Sequence, residues 1–485
     1  MANNNNNREY ISAYPPSASG GAYTFRKREW YGESNKEYPD NTYCEYARNV
    51  NLDNLPYYLT PKPSPTRIRG GYTDPISIHA FDGFYIVVYK DSGTVKLDYI
   101  EGNTTRTAML SETAKENEPI RSIVRFNVYD TPEDPLSGKF VKKLIIYPDK
   151  KSMDLAPEGD IVLFDIDVDI NQTPDLLHAV VHQSRVFGID NDRIYASGFN
   201  DYTNWNLDTA DESLASNAWV TTSQSNTKAD SDFTAITVYD GTVIAFKKGF
   251  MHEITNNKNP FRVVDVYNEG ANDSRSIWEV DGKLLFVSSH GVMQYTGGKP
   301  RKISANIDFD HPESKGIAGG FGENYFVYSE QRQELLSYNV NNQQWSTVDI
   351  SGTPVCFSSN SENLYMLTDD GGIYTINTES VGDTVTAEVS LSPFAFGSLN
   401  NKQLRKISIL ADMASGTNIT VVLCKSDGTE MEIINTTAES DGDRVINMMP
   451  NLTTGFQHTF IIRLKGNIKL KIMEVRYQYA DERYT

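Results

Sequence analysis

A unit made of an Asp/Asn/Gly-type turn followed by a short apolar strand recurs through the middle of the chain, and it constrains the fold more than any other feature. It appears as Asp82-Gly83-Phe84-Tyr85-Ile86-Val87, Asn191-Asp192-Arg193-Ile194-Tyr195-Ala196 and Asp240-Gly241-Thr242-Val243-Ile244-Ala245. It returns as Asp281-Gly282-Lys283-Leu284-Leu285-Phe286, Gly322-Glu323-Asn324-Tyr325-Phe326-Val327 and Ser361-Glu362-Asn363-Leu364-Tyr365-Met366. A strand ending in an aromatic follows each unit, as in Gly291-Val292-Met293-Gln294-Tyr295, Leu335-Leu336-Ser337-Tyr338 and Gly371-Gly372-Ile373-Tyr374. The last four units lie about 40 residues apart, the period of β-propeller blades. Their strands are mixed apolar runs, not strict alternations, as expected of sheets covered on both faces. Stacking such sheets around an axis covers those faces and leaves only short edges. A weaker unit lies at about 121–155, from Ile120 to Tyr129 and Phe140 to Tyr147. The expectation is an all-β chain with a six- or seven-bladed β-propeller over 71–380, seven being the better count. It carries no G-H…W-D or S-x-D-x-G-x-T-W box.

The flanks read differently. Residues 1–70 read as an extended, irregular N-terminal arm rich in Asn, Tyr and Pro. It ends in Pro56-Tyr57-Tyr58-Leu59-Thr60-Pro61-Lys62-Pro63-Ser64-Pro65, which cannot form a helix and makes a poor central strand. Residues 381–485 hold strand-like runs at Thr384 to Leu391, Arg405 to Leu410, Asn418 to Cys424, Glu430 to Asn435, His458 to Leu464 and Ile468 to Gln478. These lack the blade spacing, and Ile468-Lys469-Leu470-Lys471-Ile472 alternates strictly, the mark of a half-exposed strand. This part is expected to be a C-terminal antiparallel β-sandwich.

The net charge of −19 argues against gripping nucleic acid or an anionic membrane by simple electrostatics. Cys44, Cys356 and Cys424 are an odd, widely spaced trio, neither a disulfide framework nor a C-x-x-C metal set. Apolar runs such as Phe84 to Tyr89 are far below the roughly 20 residues of a membrane helix. Met1-Ala2 runs straight into Asn3 to Asn7, with no secretory signal. The expectation is a soluble protein made in a reducing cytoplasm.

Candidate chemistry is sparse. Asp165, Asp167 and Asp169 alternate with Ile166, Val168 and Ile170, so on a strand the three carboxylates share one face. They are a weak candidate for Ca²⁺, lacking the Gly-containing loop and distal Glu of an EF-hand, and a solvated acidic face is the plainer reading. A propeller glycosidase needs two carboxylates across a pocket, and with 64 acidic residues no pair stands out. His252-Glu253 lacks the second His of a zinc motif, since position 256 is Asn. His290 lies in Ser288-Ser289-His290-Gly291 without a G-x-S-x-G elbow, and His182 reads as packing or hydrogen bonding. Glycines 319, 320 and 322 do not form a phosphate loop. Trp205, Trp219, Trp278 and Trp345 are candidate sugar platforms, with packing between blades as the plainer role. No catalytic residue and no cofactor is expected.

The segment His182 to Trp205, HQSRVFGIDNDRIYASGFNDYTNW, reads as a strand from Ser184 to Ile189, an Asp-Asn-Asp turn, a strand from Arg193 to Gly198 and a polar loop closed by a Trp. Its Arg185, Phe187, Arg193, Tyr195, Ser197 and Trp205 match the order "RvF…rlYyS…dptnW", and the segment resembles the hairpin of tailed-bacteriophage β-propeller tail proteins. A second, partial match is the Asn49-Val50 pair before the proline-rich run, with Lys62-Pro63-Ser64 where that family has Arg-Pro-Gly. The resemblance extends to the propeller-then-sandwich order, and it implies a virion structural protein similar to the tail nozzle or hub proteins of short-tailed phages. It further implies a homo-oligomeric ring, commonly of six copies, docked on the portal–adaptor ring and bearing tail fibre proteins. Genomic DNA would pass through without specific binding, and the protein would reside in the virion tail after synthesis in the host cytoplasm. A receptor- or carbohydrate-binding tail-tip protein and a propeller enzyme acting on glycans remain the alternatives.

Overall fold

The computed structural model describes residues 10–13, 44–51, 53–54, 58–110, 121–130, 139–166, 173–206, 217–221, 232–256, 261–305, 307, 309, 315–376, 385–391, 402–424, 429–449, 454–455 and 458–479. Among them the chain is all-β, with one short 3₁₀ turn at Ser274–Ser276. From residue 75 to 376 it forms successive antiparallel meanders of neighbouring strands. The first sheet is Pro75–Phe81, Phe84–Asp91, Thr94–Glu101 and Thr104–Met109. The second is Ser122–Asp130, Lys139–Tyr147, Lys151–Asp154 and Phe164–Asp165, in the region of the weaker repeat. The third is His178–His182, Arg185–Ile189, Ile194–Ala196 and Trp219–Val220. The fourth is Phe233–Tyr239, Thr242–Lys247, Phe250–Thr255 and Arg262–Tyr267. The fifth is Trp278–Val280, Lys283–Ser288, Gly291–Tyr295 and Arg301–Lys302. The sixth is Ala318–Phe321, Asn324–Ser329, Glu334–Asn339 and Gln344–Val348. The seventh is Pro354–Ser359, Leu364–Thr368 and Ile373–Ile376, with Thr66–Arg69 as its fourth strand.

Local turn chemistry sets these hairpins. Asp240 and Gly241 adopt φ of 45° and 70°, and Asp281 and Gly282 adopt 48° and 68°, the left-handed pair that matches the twist of a two-residue hairpin. The repeat predicted from sequence marks the turn between first and second strands in most sheets. In the third sheet it marks the turn between the second and third strands instead. There the first turn is Gln183–Ser184, both at positive φ without a glycine (45° and 58°), which is why the sequence hides it.

Apolar clusters lie between consecutive sheets. One joins first and second through Tyr99, Leu97, Leu144 and Met153, and another joins second and third through Phe126, Tyr147, Val186 and Trp205. Others join third to fourth (Phe187, Phe233), fourth to fifth (Phe246, Phe286) and sixth to seventh (Phe326, Met366). Val287 of the fifth sheet shares a cluster with Val327 of the sixth. Cys356, Leu367 and Ile373 of the seventh sheet pack on Ile78 and Val87 of the first. The order of packing therefore returns to its start. First strands of neighbouring sheets contact one another, so they form the inner ring and the fourth strands form the rim. This is a β-propeller arrangement, in which every sheet is covered on both faces by its neighbours.

The arm is not irregular throughout. Thr66–Arg69 completes the seventh sheet, and Cys44–Arg48 lies between Gln344–Val348 and Thr386–Leu391, extending the sixth sheet to nine strands that end with Thr459–Lys465, Asn418–Cys424 and Glu430–Thr437. A further sheet holds Tyr10–Ala13, Ile468–Tyr479, Lys402–Met413 and Gly442–Met448. Ala387, Val389, Ile462 and Leu464 from the extended sheet share one cluster with Ile407, Ile409, Leu470 and Met473 from the other. The expected boundaries at 70 and 380 thus cut through hydrogen-bonded sheets.

Candidate functional site

Of the six residues singled out in the hairpin, all but the exposed Arg193 form a framework between the third sheet and its neighbours. Arg185 lies almost wholly buried at the start of the second strand. Its Nη1 donates to the carbonyl of Ser197 at 2.5 Å and to that of Asn217 at 2.8 Å, and its guanidinium stands 5.5 Å from the ring centre of Phe261. It thereby seats the approach to the rim strand Trp219–Val220. Burial lowers its pKa to about 10, so it stays charged at neutral pH and orders two carbonyls. Ser197 is fully buried: its Oγ accepts from the Val186 amide (3.0 Å) and donates to the Gly198 carbonyl (3.1 Å). Phe187 meets Phe261 edge-on at 5.1 Å. The turn is fixed by Asp190, whose carboxylate accepts from the amides of Asp192 and Arg193 and from the Tyr195 hydroxyl (2.8 Å). Burial and then Asp190 push the Tyr195 hydroxyl up to about 12. The Arg193 side chain is exposed, and its backbone amide carries the turn. Replacing Arg185 with Ala strands two carbonyls and opens a cavity, so Arg185→Ala should cost ~3–5 kcal/mol in denaturant unfolding; an unchanged midpoint would refute this clamp.

The loop after the hairpin folds back on the sheet. The Gly198 amide donates to the Asn204 carbonyl (2.7 Å), and Asp201 accepts from the amide and hydroxyl of Thr203. A Cβ on Gly198 would lie 2.8 Å from the Asn204 amide group, so this close approach needs glycine. Trp205 closes the loop, donating Nε1–H to the Tyr202 carbonyl at 3.0 Å and packing in the cluster between second and third sheets. Arg185, Ser197 and Trp205 thus tie the second strand, the third strand, the loop and the approach to the rim strand together, which is the chemistry of a staple.

A second group joins the arm to the sixth sheet. Arg48 donates from Nε (2.6 Å) and Nη2 (2.9 Å) to the Asp349 carboxylate. Asn49, at φ 53°, donates to Asp349 and accepts from its amide, both at 2.8 Å. Asp53 accepts from Asn324 and Asn339, each at 2.9 Å. Lys62, buried, donates to Ser337 at 3.0 Å and lies 4.5 Å from the Phe326 ring centre. Burial lowers its ammonium to about 8 against the pull of Asp53. The Asn-Val pair and the Lys-Pro-Ser run noted in the sequence are thus two halves of one joint.

A third group sits on the inner ring. Asp273 accepts from Arg275 Nε (3.0 Å) and Nη2 (2.9 Å), and Arg275 Nη1 donates across to the Val355 carbonyl of the seventh sheet (3.2 Å). Burial raises the Asp273 carboxyl, but Arg275 outweighs it and holds it below the carboxylate range. Burial lowers His178 of the third sheet to about 4, with Asp273 opposing and Arg275 adding to it. Burial pushes the Cys356 thiol up. The Cys356 thiol donates to the backbone carbonyls of Ile78 and Phe357, so here it is spent on backbone oxygens and not on an imidazole base. Sequence reasoning missed this group because its members come from three separate segments, at 178, 273–275 and 355–356.

Of the weak metal candidates, Asp165 is exposed and ion-paired with Lys151, at the end of a two-residue strand. Asp167 and Asp169 lie outside the described residues. Among the described residues no cluster of His, Cys, Asp and Glu has a metal-binding arrangement. His182 packs 6.3 Å from Phe187, and His290 Nδ1 lies 3.0 Å from Glu269. Trp205 and Trp345 are buried, and Trp219 and Trp278 are half-buried against the clusters between sheets. No helix among the described residues is long and apolar enough to cross a membrane.

No family model matches the chain, and no curated protein matches it. Among solved structures it is similar to a streptogramin B lyase at 11% identity and a TM-score of 0.40, covering 64% of this chain and 96% of that one. It is similar to BamB from Moraxella catarrhalis at 12% identity and a TM-score of 0.37, covering 68% and 95%. An exo-β-1,3-galactanase from Phanerochaete chrysosporium matches at 10% identity and a TM-score of 0.24, covering 84% and 100%. The propeller assignment here rests on strand order and the cores between sheets, and these distant likenesses carry nothing about activity.

Proposed function

We propose that the chain is a non-catalytic structural subunit of a phage tail, a seven-bladed β-propeller joined to a C-terminal β-sandwich. It assembles with copies of itself into a ring, in the manner of a nozzle or hub, that extends the DNA channel. The ring docks on a portal–adaptor and carries fibres. The observation that carries this reading is the use of the phage-like hairpin. Arg185, Phe187, Ser197 and Trp205 are consumed in packing and internal hydrogen bonds, as suits a scaffold motif and not a substrate site. An acidic ring, each copy carrying −19, would repel the passing DNA and keep it from sticking. The carbohydrate-binding alternative calls for a ring of exposed aromatics on one face, whereas the exposed large aromatics among the described residues are Phe164 and Phe199.

The test is the native mass of the purified protein, alone and with portal–adaptor proteins. A closed ring, or capture by the adaptor, supports the reading. A persistent monomer that ignores the adaptor and binds cell-wall glycan overturns it in favour of a tail-tip receptor binder.

A further inference from the structure

Two rim surfaces on opposite sides of the propeller are complementary. On the second sheet the loop leading to the rim strand Phe164–Asp165 exposes Glu158, Asp160, Val162 and Phe164. Val162 is 58% and Phe164 46% exposed, unusual for large apolar side chains, while Ile161 and Leu163 between them face the core. Of the four carboxylates in residues 154–165, Asp154 and Asp165 are paired with Lys143 and Lys151 of the adjoining strands, which leaves Glu158 and Asp160 to carry the negative charge of this loop. On the fifth sheet Lys299, Arg301 and Lys302 are exposed at the rim strand Arg301–Lys302, and residues 296–305 contain no acidic residue. Glu158, Asp160, Lys299 and Lys302 have no side-chain partner among the described residues, and Arg301 reaches Gln343 at 3.2 Å.

We propose that the Glu158–Phe164 rim of one copy docks on the Lys299–Lys302 rim of a second copy of this chain, so that the contact repeats head to tail. An isolated acidic loop would have no stated partner, but here the matching basic surface is carried by the same molecule, three sheets away. Two different patches facing opposite ways form a heterologous contact, which generates a closed ring when the rotation closes. Phe164 already takes a cation near its face, with Lys143 Nζ 5.0 Å from the ring centre, and Arg301 of the neighbour offers a second. The flanking charges set register and partner choice, and Val162 and Phe164 supply the apolar area. The sixth rim is already occupied by the strand Cys44–Arg48, so it is not free to receive the acidic loop. This inference rests on the self-assembly reading above.

The test compares native mass and sedimentation of the full chain with those of two charge-reversed variants, Glu158→Lys with Asp160→Lys and Lys299→Glu with Lys302→Glu. Each variant alone should self-associate at least about tenfold more weakly than the natural chain, with an unchanged melting temperature. Mixed in equal amounts they should form rings again, because each junction then pairs opposite signs. Should the lysine variant lose its fold, the neutral Glu158→Gln with Asp160→Asn serves in its place and should also weaken assembly. Rings that survive either reversal, or a mixture that fails to reassemble, overturn this contact while leaving the ring reading standing. A natural chain that stays monomeric overturns this contact, and overturns the ring reading as well when portal–adaptor proteins also fail to capture it.

Discussion

A chain lacking residues 1–70 should fail to fold cooperatively, whereas one lacking only residues 1–43 should melt within a few degrees of the full chain. The difference lies in what each cut removes. Of the described residues the shorter deletion takes away Tyr10–Ala13, an edge strand whose neighbour Ile468–Tyr479 keeps its pairing with Lys402–Met413 on the other side. The longer one also removes Cys44–Arg48 from the middle of a nine-stranded sheet and Thr66–Arg69 from the seventh sheet. With them go the fully buried Ala47, Val50 and Leu59, the Asp53 and Lys62 contacts, and the ladder to Ile373 and Tyr374. Burying a Val or Leu side chain contributes ~1.5–3 kcal/mol, and whole domains are stable by only ~5–15 kcal/mol. The loss therefore approaches the entire stability. Thermal melts followed by near-ultraviolet circular dichroism decide it. A soluble, sharply melting 71–485 chain would show that the arm decorates a body that stands alone.

Stability should fall steeply as the pH drops from 6.5 to 4. His79 and His178 lie on inner strands of the first and third sheets, and burial lowers each to about 4. His79 keeps Ser77 Oγ at 3.1 Å, and His178 faces Asp273 and Arg275. A histidine whose folded pKa lies below its unfolded value near 6.5 makes the unfolded state the stronger proton binder between the two. Its neutral form is accommodated at full strength above pH 6.5, and stability is lost progressively down to pH 4. Both residues keep a partly exposed edge, which screens the effect, so ~2–3 kcal/mol each is expected. Denaturant midpoints measured across this range should drop, and a His79→Gln, His178→Gln variant should flatten the slope. An equal slope in that variant would assign the acid sensitivity to the carboxylates. Lys62 acts at the other end: its pKa of about 8 against 10.5 unfolded makes stability climb as pH rises through that interval, because the unfolded chain alone holds the proton.

The hairpins were legible because their information is local. Asp240-Gly241 and Asp281-Gly282 announce left-handed turns, and the apolar strands beside them read as sheets covered on both faces. The Arg185–Trp205 segment was recognisable as a motif, though nothing in it says that Arg185 holds the Asn217 carbonyl or that Trp205 enters the cluster between second and third sheets. The strand Gly442–Met448 was missed because its residues GDRVINM are largely polar and exposed at a sheet edge. The axial Asp273–Arg275 group was invisible, being gathered from segments far apart in the chain.

By itself the sequence determined the all-β class, the roughly 40-residue unit and the positions of most turns, since each depends on a few adjacent residues and on strand periodicity. Tertiary structure alone decided where the arm goes. Arg48 meets Asp349 across 301 residues and Thr66–Arg69 closes a sheet begun at Pro354. An edge strand is chosen by which edge stands open and which side chains fill the gap beneath it. Those are properties of the assembled sheets, written in no single stretch of the chain.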